Sequence, residues 1–265
     1  MGSRMKAVLI ALTVMCVMHA GAGARAGGGG VPLKEQVWPF DGVFGVTDRQ
    51  AAQRGLQVYK EVCASCHGLT RVAFRNLQDI GLSEAEIKAF AAEYQVTDGP
   101  NDDGEMFERP GIPSDRFVAP FANEQAARAA NGGAYPPDLS LIVKARPHGA
   151  NYLYSLMTGY QDPPEGVTLQ DGMYYNRYFA GHQIAMPPPL TEGLVEYADG
   201  TPATGEQMAR DLTVFLQWTA EPEMEQRKSM GVRVLLFLLV MTLFFYLAKK
   251  RGWKTLKRRS ETLGN

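Results

Sequence analysis

The chain has 265 residues, 45% hydrophobic and 21% charged, with 27 Lys and Arg against 28 Asp and Glu. That is enough apolar material for a packed body of one or two domains. Its charge balance speaks against a protein built to hold nucleic acid.

The first element in chain order is not part of a fold. MGSRMK leads into an apolar run over residues 7–18, and the small-residue stretch 20–26 offers Ala24-Arg25-Ala26 as an A-x-A cleavage site. The apolar run falls short of the ~20 residues that span a bilayer, so residues 1–26 read as a secretory signal peptide. Its removal takes Cys16 with it and leaves Cys63 and Cys66 in an oxidising compartment.

Thr47-x-x-Gln50 reads as a capping box that opens a helix carrying Ala51, Gly55, Tyr59 and Val62 at helical spacing and delivering Cys63. Ser83-x-x-Glu86 opens a second, with Ile87, Phe90 and Tyr94 on one face. Residues 97–120, rich in Gly, Pro and Asp, predict a long surface loop. Short helices follow over 123–130, 138–145 and 152–158. Residues 161–199 have many Pro, Gly and Tyr and no helical period, which predicts an extended lobe with at most short strands. Thr204-x-x-Gln207 then caps a helix whose Met208, Leu212, Phe215 and Trp218 form a core-facing stripe. There is no internal repeat, and residues 27–30 are the only low-complexity stretch.

Residues 232–248, VRVLLFLLVMTLFFYLA, cover ~26 Å as a helix, close to a ~30 Å hydrocarbon core. Arg233 can snorkel, Tyr246 and Trp253 suit the interface, and seven basic residues from Lys249 to Arg259 mark the cytoplasmic side. The chain thus divides into a signal (1–26), an exported domain (27–230), a transmembrane helix (231–249) and a basic cytoplasmic tail (250–265). Three of the basic residues lie in the signal and seven in the run from Lys249, while only one acid, Glu261, lies outside the remainder. The exported part therefore holds 17 basic against 27 acidic side chains, a net charge of −10. A basic protein partner suits it; nucleic acid does not.

Residues 63–67 are Cys-Ala-Ser-Cys-His, the C-x-x-C-H pattern of covalent haem attachment. Thiols at i and i+3 can each add to a haem vinyl group, and His67 follows where its imidazole can bind the iron. A thioredoxin-like dithiol would need a β-α-β setting, and a zinc site would need further ligands. The sixth iron position stays open on this motif alone. Met186, stiffened by Pro187-Pro188-Pro189, leads, with Met173 and His182 as alternatives. A His/Met iron has no open position for substrate, which suits an electron carrier. A peroxidase would need such an opening. A free-standing tethered cytochrome would show a flexible linker before the anchor, and none is present here.

Several segments carry a closer likeness: CASCHGL (63–69), DGPNDDGEMFERPG (98–111), ARAANGGAYPPDLSLIVKAR (127–146), YLYSLMTGY (152–160), GHQIAMPPPL (181–190) and EPEMEQRKSMG (221–231). In these the chain resembles the cytochrome c1 family, the haem subunits of ubiquinol–cytochrome c reductase. The resemblance implies a mainly α fold: a c-type cytochrome domain with long loop insertions, plus one C-terminal transmembrane helix. It implies one covalent haem c on Cys63 and Cys66, with His67 and Met186 as axial ligands. It places the haem-propionate arginine at Arg146 and pocket-lining residues at Tyr152 and Asn131. It implies cytochrome b and Rieske iron–sulfur partners, a soluble cytochrome c acceptor and a dimeric complex in an energy-transducing bacterial membrane, the haem domain periplasmic. The subunit would have no bond-making active site of its own. Some relatives carry a cysteine pair or an extra loop between Met157 and Met173; this chain has neither, so packing must supply the rigidity there.

Overall fold

A computed structural model describes residues 31–263, so the predicted signal peptide lies outside the described residues. Helix α1 (Arg49–Glu61) buries Ala51, Ala52, Gly55, Leu56, Val58 and Tyr59. Its N-cap is Asp48, whose side chain accepts from the Ala51 amide, and not Thr47 as the capping-box pattern predicts. A carboxylate beside the helix N-terminus is a strong cap. The Thr47 amide instead donates to Glu225 Oε1 at 2.9 Å, a contact 178 residues away that no local pattern encodes.

A short 3-10 turn, Cys63–Ser65, follows α1, and a longer one spans Phe74–Ile80. Helix α2 (Glu84–Ala92) opens with the predicted Ser83/Glu86 capping box: Ser83 N donates to Glu86 Oε2 at 2.8 Å, and Glu86 N to Ser83 Oγ at 3.3 Å. The predicted surface loop that follows is in part ordered. Strands β1 (Gln95–Asp98) and β2 (Phe107–Pro110) pair antiparallel, Gln95 opposite Pro110 and Asp98 opposite Phe107. Arg109 binds both Asp98 and Asp115, folding the loop back on itself. Phe117 is buried, its ring 4.6 Å from Phe74 and within 6 Å of Tyr59, Phe90 and Tyr94. Both departures have one cause: a Gly/Pro/Asp-rich composition marks where helix stops, and says nothing of ribbons closed by side-chain ion pairs.

Helix α3 (Glu124–Ala130) starts at Asn123, which accepts from Ala126 N at 2.8 Å. The predicted helix over 138–145 forms only successive turns. Asp138 is engaged elsewhere, accepting from Thr70 N and Thr70 Oγ1 at 2.8 Å and from Ser140 N at 2.9 Å. Such side-chain bonds offer the backbone an alternative to helix. Helix α4 (Gly149–Met157) begins earlier than the predicted 152, after His148 in left-handed conformation. The 161–199 lobe holds β3 (Tyr174–Tyr175) paired with β4 (Gln183–Ile184) and one 3-10 turn, Ala180–His182.

Helix α5 (Gly205–Ala220) is capped by Thr204 as predicted, and Met208, Leu212, Phe215 and Trp218 are buried. It packs along α1, and the approach depends on Gly55: a Cβ there would come within 2.6 Å of Phe215 Cβ and nearer still to the Asp211 carbonyl oxygen. The α1/α5 pair is the frame from which Cys63 is presented. Helix α6 (Met224–Leu263) follows α5 almost at once. It is long and apolar enough to cross a membrane over Met224–Leu256, and none of its most apolar 18-residue window is buried against the rest of the chain.

Candidate functional site

The site begins where α1 ends. Cys66 N and His67 N both donate to the Cys63 carbonyl, at 3.1 and 2.9 Å, so the three residues share one tight turn. Both thiols are free, and each is partly buried. Burial, followed by the neighbouring Cys66, pushes the Cys63 thiol up to about 12.

His67 is held on two sides. Its carbonyl accepts from Tyr59 Oη at 3.0 Å, and its ring Nδ1 lies 2.7 Å from the Pro137 carbonyl. A carbonyl can only accept, so Nδ1 carries the proton and Nε2 keeps its lone pair. Burial lowers the imidazole pKa, against smaller opposing effects of the Pro137 bond and Asp138, which favours the neutral ring. A neutral imidazole with one fixed tautomer is what a metal ligand requires.

Met186 sits in the stretch after β4 and packs, partly buried, against the same core as Cys63, Ala64, Met157, Tyr160, Phe179 and Leu190. Tyr160 Oη donates to its carbonyl at 3.1 Å. The alternatives are placed differently. His182 Nδ1 lies 3.0 Å from the Arg177 carbonyl and its ring stacks on Tyr175, 5.8 Å between centroids. The Met173 amide closes a turn onto Gln170. Met173 is not among the apolar side chains packed against the main core.

Tyr152 is buried on α4; burial raises its phenol, and Arg146 opposes that rise. Tyr160, whose phenol is raised chiefly by burial, is also raised by Tyr152, and both tyrosines and Met186 belong to the core neighbourhood that holds Cys63. Arg146 is exposed, and its one hydrogen bond among the described residues runs to the Ala145 carbonyl at 3.1 Å. Asn131 is not drawn into this neighbourhood. Its amide donates to the Ala127 carbonyl at 2.7 Å and closes the C-terminus of α3.

Three contributors escape motif reading: Pro137, which orients His67, Tyr59, which holds its backbone, and Tyr160, which holds Met186. The residues that flank the 157–173 stretch are tied to one another. Fully buried Asn176 donates to the Leu156 carbonyl at 2.8 Å and accepts from Tyr178 N and Phe179 N at 3.0 and 3.2 Å. The donor set fits a haem: two thiols on one turn, a fixed imidazole, a thioether and partly buried apolar side chains around them.

Against known proteins, residues 38–256 match the family model described as the cytochrome C1 family. The chain is 49% identical to cytochrome c1 of Rhodospirillum rubrum, over 91% of this chain and 94% of that protein. It is 50% identical to the cytochrome b-c1 complex catalytic subunit of Candida albicans, over 84% of this chain and 77% of that protein. It is also 50% identical to cytochrome b/c1 of Bradyrhizobium diazoefficiens, over 95% of this chain but only 40% of that longer protein. The chain belongs to the cytochrome c1 family and is an electron-transferring haem protein.

Proposed function

We propose that this chain is the haem-bearing electron carrier of a ubiquinol–cytochrome c reductase, taking electrons singly from a Rieske iron–sulfur protein and giving them to a soluble cytochrome c. The observation that carries the reading is the His67 ring, its Nδ1 bonded to Pro137 and its Nε2 left free, on the turn that also holds both thiols. Cys63 and Cys66 would be joined to the haem by thioether bonds, and His67 and Met186 would bind its iron from opposite sides. Haem supplies, when bound, a reversible one-electron change at an iron with no open position. Tyr59 and Pro137 fix His67, Tyr160 fixes the Met186 backbone, and the largely unpartnered Arg146 is suited to a propionate. Tyr152 would line the pocket and Asn131 its edge, through the end of α3.

The exported domain (27–230) would stand on the periplasmic side once the signal (1–26) is removed, with residues 231–249 in the bilayer and the basic tail (250–265) in the cytoplasm. Cytochrome b and the Rieske protein would be its membrane partners in a dimeric complex. The acidic body would steer the basic cytochrome c. Within the acidic loop, Asp98 is tied to Arg109 and Glu108 to Thr97 at 2.7 Å, so exposed Asp102, Asp103 and Glu105, with Glu165, are the acids free to act.

Purification from membranes tests this directly. A multi-span haem b protein and an iron–sulfur protein should copurify in fixed ratio, and the porphyrin should stay with this chain through acid–acetone extraction. A chain isolated alone would overturn complex membership, and an extractable porphyrin would overturn covalent attachment. Electron transfer to cytochrome c should slow markedly between low and high salt; a salt-independent rate would reject steering.

A further inference from the structure

The segment before α1 carries an apolar display that neither the core nor the haem site uses. Residues 42–46 read GVFGV, without a charge, and Val43 is 60% exposed, Phe44 86% and Val46 51%. The loop is not slack. Val46 N donates to Pro39 O at 3.0 Å, Asp41 N to Trp38 O at 3.1 Å, and Phe40 stacks on Trp38 beneath it at 5.4 Å and 8°. At Gly45 the chain passes so close to the Phe40 and Asp41 backbone that no side chain would fit. A rigid loop thus holds a phenylalanine in the open.

What lies beside this loop is the start of α6. Lys228 Nζ donates to the Phe40 carbonyl at 2.6 Å and to the Gly45 carbonyl at 3.2 Å, and Thr47 N donates to Glu225 Oε1 at 2.9 Å. The apolar run of α6 begins at Val232, four residues after Lys228, or roughly 6 Å along the axis. The headgroup layer on each side of a ~30 Å hydrocarbon core is itself about 5–7 Å deep. The Lys228 clamp therefore places the loop at headgroup depth, with its uncharged tip beside the membrane entry of the helix.

We propose that the 42–46 loop is a second membrane contact: Val43 and Phe44 insert into the lipid interface next to α6 and fix how the haem domain stands on the bilayer. The two contacts act together, because a single helix leaves the body free to tilt and rotate, whereas a clamped apolar tip removes that freedom. The proposal rests on α6 spanning the membrane.

The test uses the assembled complex in lipid nanodiscs, with a nitroxide on Phe44→Cys and the unsubstituted complex, treated alike, as blank. Leu239→Cys on α6 serves as the lipid reference, and Asp103→Cys in the acidic loop as the water reference. Relaxation by oxygen, which concentrates in lipid, is compared with relaxation by a water-soluble nickel chelate. The oxygen-to-nickel ratio at position 44 should exceed that at 103 several-fold and approach that at 239. A ratio like that at 103 overturns the proposal. Poor access for both reagents means that a protein subunit covers the loop, which overturns it equally. If position 239 itself behaves like 103, the span reading falls and the loop contact falls with it.

Discussion

The two halves of the haem site are made by different physics. On the His67 side, α1 and α5 meet across Gly55, and Arg54 donates from Nε and Nη2 to fully buried Asp211 at 2.8 and 3.0 Å. On the Met186 side there is only a short 3-10 turn, Ala180–His182, before the methionine. The thioether stands in an irregular lobe whose ties are the Tyr160 hydroxyl, the Asn176 amide and a run of prolines. Helix packing makes the first half inseparable from the stability of the whole fold. The second is tied by a few hydrogen bonds and one short strand pair, not by packed helices, so it is the part expected to open first. If His67 in the frame and Met186 in the loop hold the iron, as proposed, ligand loss should occur on the sulfur side.

The largest effects should come from breaking the frame. Asp211 is 0% exposed and bound by Arg54 and Gln207, and the carboxylates of Asp211 and Asp199 raise the Arg54 guanidinium above its usual range. Asp211→Ala removes the buried partner of Arg54, leaving it only the more exposed Asp199, and should cost about 3–5 kcal/mol, read as a lowered denaturant midpoint. Gly55→Ala tests the same seam sterically. Alanine favours helix over glycine by about 1 kcal/mol, yet its Cβ collides with the α5 backbone, so the net change should be a loss of about 2–3 kcal/mol. Stabilisation by Gly55→Ala would show that α1 and α5 do not pack this closely.

Much of the frame was legible in the sequence because its signals are local. Ser83/Glu86 and Thr204/Gln207 cap the helices they were read to cap, and the Met208–Trp218 stripe is core. The start of α1 is one residue later than the pattern predicts because Thr47 and Asp48 can both cap, and the Asp48 carboxylate takes the Ala51 amide. The C-x-x-C-H turn could be read outright. The partner of His67 could not, since Pro137 stands 70 residues away and contributes a carbonyl that every residue possesses. The failed helix at 138–145 has the same origin, Asp138 being committed to Thr70 across the fold. Sequence periodicity thus identifies what a segment buries, whereas the partners of its polar groups depend on topology.

Tyr160→Phe sharpens the comparison from the lobe side. It removes one hydrogen bond to the Met186 carbonyl, worth about 1 kcal/mol, which raises the open population of that side roughly fivefold. Added imidazole should then bind the ferric haem about fivefold more tightly, because apparent affinity follows the competent fraction. The unfolding midpoint should fall only by the equivalent of that ~1 kcal/mol, several-fold less than for Asp211→Ala. A loss of global stability comparable to that of Asp211→Ala would mean that lobe and frame unfold as one, and the contrast between the two halves would fail.

The smallest effect concerns the β1–β2 ribbon, a loop element held by charge. Arg109 binds Asp98 and Asp115, and each of those carboxyls is held below its ordinary value, chiefly by the hydrogen bond from Arg109. A carboxyl depressed by folding contributes stability above its unfolded pKa and loses it as pH falls through the folded value. The ribbon should therefore be intact at neutral pH and loosen only in acid, below the ordinary aspartate pKa of about 3.9. Both partners are near solvent, so salt should weaken the tie as well. Carbon-13 titration of the two carboxyls reads this without any need for unfolding. Arg109→Gln should move both midpoints up toward the ordinary value while leaving haem ligation unchanged. Unshifted midpoints would mean that the ion pairs do not hold the ribbon, and that backbone pairing between β1 and β2 alone orders the loop.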